Sequence, residues 1–300
     1  MRIFGRVLMV YWELAARKNS CGGESMHTQF LSYRCWQFVV LTAVLFLSAP
    51  IPAAQNAATG ELVNVDTLRV CSSPSNLPFS NRRGEGFENE IAELFAAKLG
   101  MTVSYTWYPP ARGFVRNTLN KRLCDLIIGI TGLHELTQNS NPYYRTSWAL
   151  VIRADNPRQV KDLDSPALAE MKIGIIAASP PVTALAKRGL LKNMVSYPLR
   201  VDTRVENPSQ EILTAVADGN MDAALIYGPI AGYWADKLQK PLRVIPLDSQ
   251  ASGTRMDFVI TMGMRRNEPL WKEKVNGFLR DNREEIDAIL YRYGTPLLPI

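Results

Sequence analysis

Two kinds of apolar spacing follow one another along the chain, one of period two and one of three to four residues, and they interleave from about residue 66 to 293. Residues 68–71 (LRVC) open as a short strand, and a proline-containing loop occupies 72–80. Phe87, Ile91, Leu94, Phe95 and Leu99 then recur at helical spacing and stop at Gly100, the residue type that most easily takes the left-handed turn ending a helix. Val103, Tyr105 and Trp107 alternate as in a strand, and residues 114–123 predict a second helix. Residues 125–130 (DLIIGI) are apolar after the first position, as in a strand covered on both faces, and 148–152 form another apolar run.

The alternation continues in a second unit starting near Asp155. Strands are expected over 172–176, 195–199, 222–226 and 242–247, and again over 258–264. Ser179 before Pro180 and Pro181 has the pattern of a helix start, as does Asn207 before Pro208. Helices follow through Ala217, over 229–238, and from Leu270 to about Tyr293. Strand-then-helix repetition in a chain of 300 residues predicts an α/β fold in two domains with mainly parallel sheets.

The first 54 residues stand apart. Residues 38–47 (FVVLTAVLFL) are apolar but for one Thr, with Arg34 before them and small residues after, the pattern of a secretory signal. The run falls short of the roughly 20 residues that span a bilayer; an uncleaved anchor is the other reading. Met26 begins a signal of ordinary length, so residues 1–25 read as lying outside the exported fold. Of the net charge of +6, five basic and two acidic residues lie within 1–54, which leaves +3 elsewhere and no basic run suited to nucleic acid. Two of the four cysteines, Cys71 and Cys124, lie beyond the leader; in an oxidising compartment they are a candidate disulfide, or else two packed thiols. With only His27 and His134 present, there is little material for metal ligation or histidine-based catalysis.

Several stretches resemble the amino-acid-type periplasmic receptors: Leu68-Arg69-Val70, Pro78-Phe79-Ser80, Gly86-Phe87-Glu88-Asn89-Glu90-Ile91-Ala92, Cys124-Asp125-Leu126-Ile127-Ile128-Gly129, Asn141-Pro142-Tyr143-Tyr144 and Gly219-Asn220-Met221-Asp222-Ala223-Ala224. The resemblance implies the two-lobed periplasmic binding protein fold of type II, with each lobe a mainly parallel sheet flanked by helices and two strands crossing between lobes. Lobe 1 would comprise 66–153 and 255–300, and lobe 2 residues 154–254. The crossings would fall near Arg153-Ala154 and Gly253-Met256.

A narrower resemblance rests on residues 70–81 (VCSSPSNLPFSN), 112–119 (RGFVRNTL) and Trp107-Tyr108-Pro109. These are similar to the methanol oxidation J proteins, binding-protein relatives encoded beside quinoprotein (PQQ) methanol dehydrogenases. That likeness implies a periplasmic, non-enzymatic accessory of the dehydrogenase, partnering its subunits in assembly or activity. PQQ is then a candidate ligand, and no cofactor is expected to be held tightly. The alternative is a transport receptor for a small solute other than an amino acid. A dehydratase on the same fold would need a placed acid and base, and Glu135 is the one carboxylate near the Thr131 loop.

Receptors of this type hold a ligand carboxylate with an Arg and with helix amides, and the ammonium with an Asp. Here Leu136 stands at the Arg position, Pro180 and Pro181 remove N–H donors after Ser179, and Tyr227 replaces the Asp. Three such losses count against a zwitterionic ligand, because each charged hydrogen bond contributes about 1.5–3 kcal/mol. The candidate cleft residues are Ser72, Asn76, Phe79, Arg112, Arg116, Thr131, Tyr143, Ser179 and Tyr227. Arg112 and Arg116 either face the cleft or a partner, or lie on a solvated helix face. Tyr144, Met256, Met262 and Met264 are expected in the core.

Overall fold

The computed structural model describes residues 61–300 apart from Leu133 and Gln239; the signal segment and the Met26 start lie outside the described residues. Strand β1 (Thr67–Ser72) pairs in parallel with β4 (Thr102–Trp107), and the two-residue strands β2 (Ser75–Asn76) and β3 (Ser80–Asn81) form a small hairpin between them. Helix α1 (Phe87–Leu99) ends as expected, with Gly100 at φ 67°. The helix expected over 114–123 is broken. Only α2 (Phe114–Asn117) and a 3-10 turn at Leu119–Lys121 form, because the Thr118 hydroxyl donates to the Phe114 carbonyl and its backbone leaves helical geometry.

Strand β5 (Ile127–Thr131) lies beside β1 through the Val70–Leu126 bridge. After the short β6 (Gln138–Asn139) comes β7 (Tyr144–Arg153), the strand that organises the molecule. Its first residues, Tyr144 to Ser147, pair with β12 (Asp257–Met264); from Trp148 onward it pairs with β10 (Ala223–Tyr227) and β11 (Leu242–Pro246). The first crossing therefore lies at Ser147–Trp148 and not at Arg153–Ala154, since a ten-residue strand is long enough to serve both sheets without a break. The second runs through Met256, whose carbonyl accepts from Trp148 N.

The second half adds β8 (Ile173–Ile176) and β9 (Met194–Tyr197), parallel to each other and to β10. Helices α3 (Pro180–Lys187), α4 (Pro208–Ala217) and α5 (Gly228–Lys237) flank them. Asn207 caps α4 by accepting from Gln210 N. Apart from the β2–β3 hairpin, every antiparallel pair contains β7 or β12, while β1–β4, β8–β9 and β8–β10 are parallel, so the pairing is mixed. Along β7, Leu150 and Ile152 pack into one apolar cluster while Ala149 and Val151 pack into another, which accounts for the unbroken apolar run.

A single-turn helix α6 (Ser249–Ser252) precedes the second crossing. The closing helix is two: α7 (Pro269–Asp281) and α8 (Arg283–Arg292), separated at the buried Asn282, whose side chain donates to the Phe278 carbonyl. Both pack with α1 on the first sheet, burying Phe95 against Trp271 and Phe278. Met262 and Met264 are in this core, and Met256 is in that of the second half. Among the described residues, no helix is long and apolar enough to cross a membrane.

Candidate functional site

Between the two sheets lies an inner cavity of about 310 Å³, opening beside a broader outer groove of about 1130 Å³. Ser72, Asn76, Phe79, Thr131 and Tyr227, all candidates from the sequence, line the inner cavity. Asn76 and Tyr227 also reach the groove. Phe79 comes from the first half and Tyr227 from the second; their rings stack with centroids 6.3 Å apart at 18°. The Ser75 hydroxyl donates to the Thr203 carbonyl at 2.7 Å, a second link across the cleft.

The other candidates lie elsewhere. Tyr143 is in the core, its hydroxyl donating to the Ile128 carbonyl. Ser179 is buried, and its hydroxyl turns back to the Ile176 carbonyl instead of capping α3. Arg112 and Arg116 are both exposed and line neither space; Gly113, at φ 94°, separates Arg112 from the short α2, so the helical spacing that related them does not exist. Leu136 packs on the small apolar cluster around Cys71 and Cys124. Those two cysteines are bonded, with Cα atoms 5.5 Å apart, tying β1 to the residue before Asp125. Glu135 is exposed, its carbonyl accepting from Arg266, and takes no part in the cavity. Tyr144, expected in the core, is buried there and also lines the cavity.

Glu88 is the residue that sequence reasoning missed. It is the second residue of α1 and the one charged side chain among those lining the inner cavity. Its carboxyl lies against Gly129, where an added Cβ would be 2.1 Å from Oε1. No guanidinium or ammonium pairs with it among the described residues, and burial pushes its pKa up to about 8. Tyr227 and Tyr144 are likewise raised, first by burial and then by neighbouring groups including Glu88. The loop before α1 sits tightly on the helix start: Gly86 has room for no Cβ beneath the Phe79 carbonyl, at 2.1 Å. Phe87 N and Glu88 N donate to the carbonyls of Pro78 and Phe79 at 2.9 Å each. The first donors of α1, which an anion would otherwise use, are therefore taken.

Among the described residues, the inner cavity is thus lined by one carboxyl, by aromatic rings and by no basic side chain, the reverse of what a carboxylate ligand needs. Residues 68–296 match the model of the bacterial extracellular solute-binding proteins, family 3. The chain belongs to that family. The solute-binding protein is similar to the protein MoxJ of Methylorubrum extorquens, with 30% identity over 280 residues, 87% of this chain and 93% of that one. It is also similar to the periplasmic binding protein XoxJ from Methylobacterium extorquens AM1, whose crystal structure is matched at a TM-score of 0.66 and 37% identity, over 78% of this chain and all of the other. MxaJ from Methlophaga aminisulfidivorans MPT matches 77% of this chain and all of its own at a TM-score of 0.68; at 24% identity that is a likeness of fold. The matches to MoxJ bear out the resemblance of the solute-binding protein to the methanol oxidation J proteins.

Proposed function

We propose that this solute-binding protein is a periplasmic accessory of a PQQ-dependent methanol dehydrogenase system, assisting assembly or activity of the dehydrogenase. The observation that carries this reading is the cleft: among the described residues its inner cavity is lined by no Arg, Lys or His, and the Phe79–Tyr227 stack spans it, so it does not suit a free amino acid. The match to MoxJ over most of both chains supports the connection to methanol oxidation. The partner in this reading is a dehydrogenase subunit. The test is co-purification of the tagged protein with the dehydrogenase from the periplasm of a methylotroph, together with dehydrogenase activity in a deletion strain. Absence of both association and any change in activity would overturn the reading.

PQQ is a planar tricarboxylate, and the residues of the inner cavity do not fit it, since their one charged group is a carboxyl. Its recognition would fall to the outer groove, whose lining includes Arg82, Arg83 and Arg204. Arg83 and Arg204 are exposed and already paired with Glu85 and Asp202. The second reading, a receptor for a small solute other than an amino acid, is favoured by the inner cavity itself, whose volume is at the lower end of the roughly 300–1,000 Å³ typical of ligand sites. Thermal-shift screening separates the two, because a ligand at 100 times its Kd adds about 2.7 kcal/mol of stability.

A further inference from the structure

We infer that the inner cavity is a binding site for a small organic monocation that carries no carboxylate, a primary alkylammonium held by Glu88 between aromatic walls. This deepens the small-solute reading of the cleft and does not depend on the dehydrogenase reading.

Three independent observations point to a cation. The cavity holds one carboxyl, Glu88, able to ionise against a bound cation, and among the described residues no basic side chain lines it. The walls are aromatic: Phe79, Phe114, Tyr144 and Tyr227 line the same space, and ring faces attract alkylammonium groups. Donors that would serve an anion are reduced: the first two of α1 are taken by the carbonyls of Pro78 and Phe79, and Pro229 removes one from the first turn of α5. Ser73, on the same lining, has a buried hydroxyl with no hydrogen-bond partner, an unused acceptor beside the cavity. The Glu88 carboxyl needs a close neighbour without bulk, and Gly129 provides it; any side chain there would occupy the carboxyl's place.

The free carboxyl holds its proton to about pH 8, because no counter-charge offsets its burial. Binding an ammonium ion forms the pair of carboxylate and ammonium and releases that proton to solvent. The groups facing Glu88 from the packed elements are Tyr105, Tyr143, Tyr144 and Tyr227, all raised in pKa and neutral throughout this range.

The experiment is calorimetric titration of the purified protein with n-butylammonium chloride, n-butanol and sodium n-butyrate at pH 6, 7, 8 and 9. The expected result is binding of butylammonium alone, with Kd falling about tenfold per pH unit up to pH 8 and levelling above it, as uptake linked to loss of one proton requires. Glu88→Gln, which imitates the protonated group, should weaken butylammonium by roughly ten- to hundredfold, the range for loss of one charge-assisted hydrogen bond. Absence of butylammonium binding at every pH overturns the inference, as does a Glu88→Gln variant that binds it unchanged. Butanol or butyrate binding with equal strength also overturns it, while leaving the small-solute reading intact. Should Glu88→Gln fail to fold, the pH series on the unaltered protein decides by itself.

Discussion

Phe79 and Tyr227, one from each half of the molecule, lie with their rings 18° from parallel across the cleft. Each is braced by its own half. Phe79 meets the edge of Phe87 with centroids 5.2 Å apart, and Tyr227 meets Trp148 at 5.8 Å, just where β7 passes from one sheet to the other. The stack therefore joins the loop carrying Phe79 to the strand that crosses between the sheets.

If this stack holds the halves together, a double-mutant cycle of Phe79→Leu and Tyr227→Leu should give a coupling of about 0.5–1.5 kcal/mol, the range for aromatic pairs beyond their area burial. Urea denaturation of the four proteins measures it. Additive effects would mean the rings are neighbours without mutual stabilisation.

The carboxyl of Glu88, unpaired in the cavity wall, should give stability a characteristic pH dependence. Its pKa in the fold is about 8, against 4.5 in an open chain. Between these values the folded protein keeps a proton that the unfolded chain has lost, so its contribution is fully present below pH 4.5 and disappears as pH rises through 8. The slope from this one group is at most about 1.4 kcal/mol per pH unit. The difference between the unaltered protein and Glu88→Gln, followed by urea midpoint from pH 5 to 9, isolates it. Parallel pH curves for the two proteins would show that the carboxyl is solvated after all.

The disulfide between Cys71 and Cys124 closes a chain segment with a sequence separation of 53. Closing a loop of that length stabilises the fold by about 2–4 kcal/mol, chiefly through the unfolded chain. A Cys71→Ala/Cys124→Ala variant, or the native protein under reductant, should unfold at correspondingly lower urea. Equal midpoints with and without reductant would remove the bond from the stability of this protein.

Most elements could be read from spacing alone, because β1, α1 and β10 each carry an apolar pattern of one period with clear stops such as Gly100. The breaks at Thr118 and Asn282 could not: both interrupt the helix where a side chain bonds to a carbonyl four residues back, which leaves the hydrophobic pattern intact. The crossing position was misplaced for a related reason. Residues 144–153 are one continuous strand, and only its pairing partners reveal where one sheet gives way to the other. At the cleft, Ser72, Phe79 and Tyr227 were legible through motif position. Glu88 was not, because an acid in the first turn of a helix ordinarily reads as a favourable charge at the helix start. Its neighbour Gly129 is 41 positions away in the chain, and only the two together mark the cavity.

Asp125 offers the sharpest test of what holds the first half together. Its side chain is 1% exposed and receives Arg69 through Nε at 2.7 Å and Nη2 at 2.6 Å, while Arg265 Nη2 donates to it at 2.7 Å. Arg265 also bonds Glu268 at 2.8 Å and the carbonyl of Cys124, and Trp271 Nε1 reaches the Asp125 carbonyl at 3.1 Å. One carboxylate thus joins β1, the disulfide loop and the start of α7. Removing it leaves the Arg265 guanidinium, only 10% exposed, with a single carboxylate partner in Glu268. Asp125→Ala should therefore cost about 3–5 kcal/mol, the range for breaking a buried pair from one side. Pairing that change with Arg265→Met should recover part of the loss, since two charges removed together leave no uncompensated one. Urea midpoints of the single and double variants distinguish this from simple loss of packing, under which the double variant would be less stable than either single one.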